Sequence, residues 1–238
     1  MAHCYLHVDL TVAEVGQRVE LSETEGRHAA VARLRAGERV MLTSGQGTLA
    51  EATVLEGGKR STALFVESAR EVPRPKTQIT LVQALAKGER SEIAVAAATE
   101  LGVDAIVPWQ AERSIVQWRG ERAAKGVKKW QSAATEASKQ AIRPWIPHVT
   151  PLAATSDLRG LAAALVVLDP ESELPLVDAL EQRSTAFVVG PEGGISPSEL
   201  QELEDAGAKR ARLGQEVLRT STAGLAAIAA ASPALGRW

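Results

Sequence analysis

Cysteine is almost missing: Cys4 is the only one in 238 residues. An internal disulfide framework is therefore excluded, and a reducing, cytoplasmic setting is expected. No apolar run is long enough and free enough of charge to span a membrane, so no membrane association is expected. The opening MAHCYLHVDL lacks a basic stretch followed by an apolar one, and a secretory signal peptide is not expected. Neither sign of charge dominates: 27 Lys and Arg against 29 Asp and Glu leave a net charge of −2. That balance lacks the overall basicity typical of nucleic-acid binders. It hides a distribution, however. Basic residues cluster at Arg33, Arg35 and Arg39, at Lys125, Lys128 and Lys129, at Lys139 and Arg143, and at Lys209, Arg210 and Arg212. Such clusters are solvated surface unless several share a face and track phosphates.

Chemical signatures are missing too. No lysine follows the glycines of VVGPEGGIS as a Walker loop requires, and the spacing of a dinucleotide fingerprint is absent there. There is no Gly-x-Ser-x-Gly nucleophile elbow, and His148 has no obvious nucleophile partner. His3, Cys4 and His7 are not followed by a second pair at ligand spacing. Alternation along a strand explains them, and no metal is expected.

What is present falls into two patterns. Short strands are expected at 3–9, 17–21, 38–43, 47–55 and 61–68, with SGQG and EGGKR as turns. A helix is expected over 23–34, with Ser22 as cap and Glu25 completing a capping box. This reads as a small β-rich barrel over 1–72. The two prolines of EVPRPK then mark a linker. Beyond it strands and helices alternate. Strands are expected at 77–85, 104–109, 163–169, 185–190 and 209–213, and helices at 89–101, 120–142, 175–183, 197–206 and 217–231. The apolar strand runs argue for a parallel sheet covered on both faces, in a second domain over 77–238.

Two stretches carry the functional signal. In VVGPEGGISPSEL the strand ends at Gly190, and Ser196, Pro197 and Glu199 form a capping box with proline at the first helical position. The amides of the loop between can bond a ligand at the carboxyl end of a parallel strand, or the loop is simply a tight turn. Glu192 disfavours phosphate and suits a cationic or hydroxyl-bearing ligand. In LGQEVLRTSTAG, residues 213–224, Leu213, Val217 and Leu218 can wall an apolar slot, with Arg219, Thr220, Ser221 and Thr222 as polar anchors. An ordinary amphipathic helix start would look the same.

Together these two stretches resemble the C-terminal motifs of SPOUT-class RNA methyltransferases, most of all the RsmE family of 16S rRNA (uracil-N3)-methyltransferases. LVQALAKGERSEIAVAAATELGVDAIVPWQAERS (81–114) resembles the family's central block, and EASKQAIRPWIP (136–147) its Gln-x-x-Arg segment. HAAVARLRAGE (28–38) resembles part of its PUA-like N-terminal domain. The resemblance implies an α/β fold with a SPOUT-type parallel sheet, a C-terminal deep trefoil knot and a PUA-like β-barrel. It implies S-adenosylmethionine as cofactor, 16S rRNA as partner, free or within the small ribosomal subunit, and a homodimer. Carried over, Leu168, Gly190, Gly193, Gly194, Ile195, Leu213, Gly214, Val217, Leu218, Arg219 and Thr222 become cofactor contacts. Arg143 and Gln140 become catalytic residues, and Arg33, Lys87, Arg90 and Arg113 RNA contacts. Three departures stand out: Lys139 where relatives often carry Glu, Ile142 where they often carry Gly, and no early arginine.

Methyl transfer to uridine N3 needs that proton to leave, so a base must accept it or a cation must stabilise the uridine anion. Arg143 is the candidate cation, because arginine presents parallel donors to a carbonyl-flanked edge. The target base must be unpaired or flipped out. Four of five tryptophans lie between 109 and 145, available for base stacking or for core or dimer packing. The alternatives are a SPOUT enzyme acting on tRNA and a non-catalytic RNA-binding assembly factor.

Overall fold

The computed structural model describes residues 3–57 and 62–238. The expected EGGKR turn lies mostly outside the described residues. Backbone contacts divide the chain into two compact units, Met1–Arg74 with Glu136–Ile146, and Pro75–Thr135 with Pro147–Trp238.

In the first unit β1 (Cys4–Leu6), β2 (Arg18–Glu20), α1 (Glu23–Val31), β3 (Arg39–Thr43), β4 (Thr48–Gly57) and β5 (Thr62–Glu71) follow in order. The strands form one sheet in the order β1-β3-β4-β5-β2, with β1 parallel to β3 and the other pairs antiparallel. Where the pattern suggests a barrel, hydrogen bonding gives a sheet with β1 and β2, each three residues long, at its edges. Alternate residues of β3, β4 and β5 point inward, and Leu42, Leu64 and Val66 are fully buried among them. Ser22 caps α1 by accepting from the Glu25 amide at 3.3 Å. The reciprocal half of the box is missing, because the Glu25 carboxylate is drawn to the Leu6 amide and to Lys139 Nζ. α1 stops at Val31 rather than 34. Arg33 takes φ +57°, and the Arg33 and Leu34 amides bond back to Ala30 and Ala29 in a Schellman turn.

The segment 136–146 joins this unit through its own bonds, although the sequence pattern places it inside an unbroken second domain. Thr43 Oγ1 donates to the Arg143 carbonyl at 2.8 Å, and Trp145 Nε1 to the Val72 carbonyl at 2.9 Å. The Arg74 guanidinium lies 4.2 Å above the Trp145 ring.

The second unit contains β6 (Ile79–Ala84), α2 (Arg90–Glu100), β7 (Ala105–Trp109), most of α3 (Glu121–Gln140), β8 (His148–Val149), β9 (Ala164–Leu168), α4 (Leu176–Ala179), β10 (Thr185–Val189), α5 (Pro197–Asp205), β11 (Lys209–Ala211) and α6 (Thr220–Ala231). Its six strands are all parallel, in the order β11-β9-β10-β6-β7-β8. Both faces are covered, as the uninterrupted apolar strands require. Phe187 points into one core with Ile79, Trp130 and Ile228, and its neighbour Val188 into the other with Val82, Trp109 and Leu203.

Three local expectations are corrected. α4 spans only 176–179, because Leu180 turns extended at ψ 142°. α6 begins at Thr220 rather than 217, since Arg219 is extended at ψ 152°. β8 and a 3-10 turn at Thr155–Gly160 carry no periodic pattern and were not expected. Among the described residues no helix is long and apolar enough to cross a membrane.

Candidate functional site

A cavity of about 530 Å³ opens outside the carboxyl ends of β9 and β10, where open parallel sheets bind ligands. Its first wall is the loop 190–195. The far end of that loop is fixed by the expected capping box: Ser196 Oγ accepts from the Glu199 amide, and Glu199 Oε2 from the Ser196 amide, both at 3.2 Å. Glu199 is buried, and its other oxygen accepts from the Glu112 amide and Thr155 Oγ1, tying α5 to the following layer. The glycines have two employments. Gly194 turns the chain at φ +74°, while a Cβ on Gly190 would lie 2.7 Å from Ile195 Cγ1 and one on Gly193 would lie 3.1 Å from the Arg113 carbonyl. The close approach is first of all to the protein's own chain, which then presents its backbone to the cavity.

The second wall is 217–223. Val217 and Leu218 line the cavity and are 78 % and 40 % exposed, so they offer it apolar surface. Among the described residues the amides of Gly214–Leu218 donate to no protein group. Leu213 and Gly214 line a smaller space of about 70 Å³ that shares Leu168, Val217 and Leu218 with the larger one. Leu168, Gly190, Gly193, Gly194, Ile195, Leu213, Gly214, Val217 and Leu218 are thus brought together. Arg219 and Thr222 line neither space; Thr222 Oγ1 instead donates to the Arg219 carbonyl at 3.1 Å, at the start of α6.

Gln83, which sequence reasoning did not place in the site, and Thr220, one of the expected polar anchors, join these walls. Gln83 Nε2, at the end of β6, donates to Thr220 Oγ1 at 3.0 Å, and Thr220 Oγ1 donates to the Gly190 carbonyl at 2.7 Å. The hydroxyl has one proton, so this chain of bonds has a fixed direction. An amide among the apolar residues at the end of the strand ITLVQA is the signal that could have found it.

Carboxylates dominate the lining. Asp169, Glu171 and Glu192 face the cavity with Arg113 as the only cation. Asp169 is held by Arg210 Nε at 2.7 Å, a bond that raises the guanidinium above its ordinary range. Glu192 Oε1 accepts from the Lys87 amide at 3.4 Å and from Arg90 Nη1 at 3.2 Å. The carboxylate that argues against phosphate therefore also clamps the loop to the start of α2. Arg113 Nη1 donates to the Gly193 carbonyl at 3.4 Å. Arg33 is exposed at its left-handed turn. Gln140, exposed, and Arg143, half-buried, group with the first unit and do not line the cavity. Lys139 is buried, which removes it from any basic surface.

An RNA methyltransferase domain family matches residues 73–232, and an RNA methyltransferase PUA domain family matches 21–66. The ribosomal RNA small subunit methyltransferase E of Mycobacterium bovis is 40 % identical over 248 residues, covering all of this chain and 94 % of the relative. The chain belongs to the ribosomal RNA small subunit methyltransferase E family. The Bacillus subtilis member is 28 % identical, with 94 % of each chain covered. The crystal structure of the Neisseria gonorrhoeae member, bound to S-adenosyl methionine, superposes with a TM-score of 0.88 at 30 % identity over 98 % of both chains.

Proposed function

We propose that this chain transfers a methyl group from S-adenosylmethionine to N3 of a uridine in small-subunit (16S) ribosomal RNA. The cavity between the 190–195 and 213–223 loops carries the reading, in a chain that aligns over nearly its whole length with a cofactor-bound family member. The residues fit that cofactor. Leu168, Ile195 and Leu218 offer apolar surface to an adenine, and the unclaimed amides of Gly214–Leu218 offer donors to its ring nitrogens. Asp169 and Glu171 suit ribose hydroxyls and a positively charged sulfonium and ammonium, where a phosphate would be repelled. When bound, the cofactor supplies an electrophilic methyl group.

The trefoil knot belongs to the same reading. After β11 at the sheet edge the chain returns to place α6 on β6 and β10, so closely that a Cβ on Gly224 would lie 2.7 Å from Leu81 Cδ1. So do the homodimer and the role of the first unit as a PUA-like grip on RNA. In the reaction the N3 proton passes to solvent water, and the Arg143 guanidinium stabilises the negative charge left spread over O2 and O4. Orientation of the base supplies much of the remaining acceleration.

The test is labelled-methyl transfer onto small-subunit particles, free rRNA and tRNA, followed by nucleoside analysis, with calorimetry of cofactor binding alongside. The expected product is N3-methyluridine in rRNA. Arg143→Ala is expected to lose about 100-fold or more in transfer while binding cofactor within about twofold of wild type. Methyl label in tRNA or on another atom would overturn the reaction assigned, and a fully active Arg143→Ala would overturn the role of Arg143.

A further inference from the structure

The second unit holds another cavity, of about 490 Å³, that shares no lining residue with the cofactor cavity. It lies between the start of α2, the 116–118 loop and the first half of α3. Its size falls in the range of small-ligand sites, roughly 300–1,000 Å³.

Aromatic surface, positive charge and unmet hydrogen-bonding capacity meet here. Trp118, half-buried, packs edge to face on fully buried Trp130, with ring centroids 5.3 Å apart and planes at 71°. Gly126 interrupts the helical sequence of α3 to seat that indole: a Cβ there would lie 2.6 Å from the Trp118 ring. Glycine in a helix interior is unfavourable, so this seat is kept against local preference. Arg122 and Lys125 stand at the rim, both exposed; Lys125 lies 3.7 Å from Glu121 in a solvent-screened pair, and Arg122 has no ion-pair partner among the described residues. Lys129 neutralises Glu92 at 2.8 Å. Two buried polar atoms of lining residues, Trp130 Nε1 and Glu92 Oε2, have no partner among the described residues. One is a donor and the other an acceptor, and buried polar groups are ordinarily satisfied.

An aromatic wall with cations at the rim is the composition by which proteins hold single-stranded nucleic acid. We propose that this cavity binds one unstacked nucleotide of the RNA substrate, its base against Trp118 and its phosphate at Arg122 and Lys125. The proposal rests on the RNA-methylating reading above. The methyl acceptor must meet the methyl group at the other cavity, so the nucleotide held here is a neighbour of the acceptor. The two sites are joined through Glu192, which lines the cofactor cavity and bonds Lys87 and Arg90, beside the Gly88 and Glu89 that line this one. Occupancy here fixes the strand beside the reacting base.

The experiment uses the full chain with cofactor and a labelled single-stranded dodecauridine. Trp118→Ala is expected to weaken dodecauridine binding about tenfold, with cofactor affinity unchanged and Trp118→Phe retaining most of the affinity. The double variant Arg122→Ala/Lys125→Ala, which leaves the core untouched, is expected to weaken binding to a similar extent and to flatten its salt dependence. A 4-thiouridine probe is expected to crosslink within residues 116–130. Wild-type affinity in both variants, or crosslinks only elsewhere, would overturn the proposal. So would a changed oligomeric state with unchanged RNA affinity, which would assign the cavity to a second copy of the chain. Failure of the functional reading looks different: wild type then binds dodecauridine through this cavity but delivers no methyl group to rRNA.

Discussion

Lys139 places its ammonium 2.9 Å from Glu25 Oε1, 2.9 Å from Glu136 Oε1 and 3.3 Å from His28 Nδ1. Ligand atoms of those three partners lie within 4.8 Å of one another, close enough to hold a metal ion, and the lysine is the cation among them. Next to Arg143 in the sequence it reads as one more surface charge, because nothing local reveals a partner 114 residues away. Replacing it with methionine leaves buried Glu25 with only the Leu6 amide and His28 beside it, and a loss of about 3 kcal/mol is expected in urea unfolding of the first unit. Adding Glu25→Leu should return much of that loss, since removing both charges also removes the desolvation cost. The pH dependence has a definite sign. Burial pushes the ammonium's pKa down, but its bonds to Glu25 and Glu136 outweigh this and leave it above the ordinary 10.5. A group raised in the folded state stabilises fully below its unfolded pKa and loses that contribution as pH climbs through the folded value. Wild type should therefore show a loss of stability above pH 10.5 that the Lys139→Met protein lacks.

At the scale of elements, the bonds from Gln83 to Thr220 to Gly190 connect the end of β6, the start of α6 and the 190–195 loop. Thr220→Val keeps the shape of the side chain but breaks both bonds, and frees the Gly190 carbonyl to move. Cofactor affinity is expected to fall about tenfold, corresponding to about 1.4 kcal/mol, with Thr220→Ser close to wild type. Calorimetry reads the difference directly, and Gln83→Leu added to Thr220→Val should cost little more, because one chain of bonds is already broken. This chain also marks the limit of what the sequence discloses. The Ser196–Glu199 box is legible because all its partners lie within four residues, and so are the apolar parallel strands and both glycine-bearing loops. The Gln83–Thr220 bond spans 137 residues, and although each end is visible in the sequence as a polar residue, nothing local pairs the two. Helix ends fail for a related reason. Ile142 adopts φ +50° at the end of α3, where the Ile142 and Arg143 amides bond back to Lys139 and Ser138. That is a Schellman position favouring glycine, and the β-branched residue standing there leaves no readable stop signal.

For the molecule as a whole, each unit has its own buried core, and every residue lining the cavity beside the 190–195 loop belongs to the second. A ligand that binds only the folded second unit should stabilise it by mass action, by about 2.7 kcal/mol at a concentration one hundred times its dissociation constant. For a unit of this size that corresponds to a rise of roughly 5–10 °C in its midpoint. The Lys139 substitution acts instead on the first unit, because Glu25, His28, Glu136 and Lys139 all fall within it. Scanning calorimetry of wild type and Lys139→Met, each with and without S-adenosylmethionine, separates the two effects. The expected record has two transitions, one raised by cofactor in both proteins and one lowered by the substitution whether or not cofactor is present. A single transition moved by both treatments would mean that the units unfold as one cooperative body, in which case cofactor occupancy would also protect the PUA-like unit from unfolding.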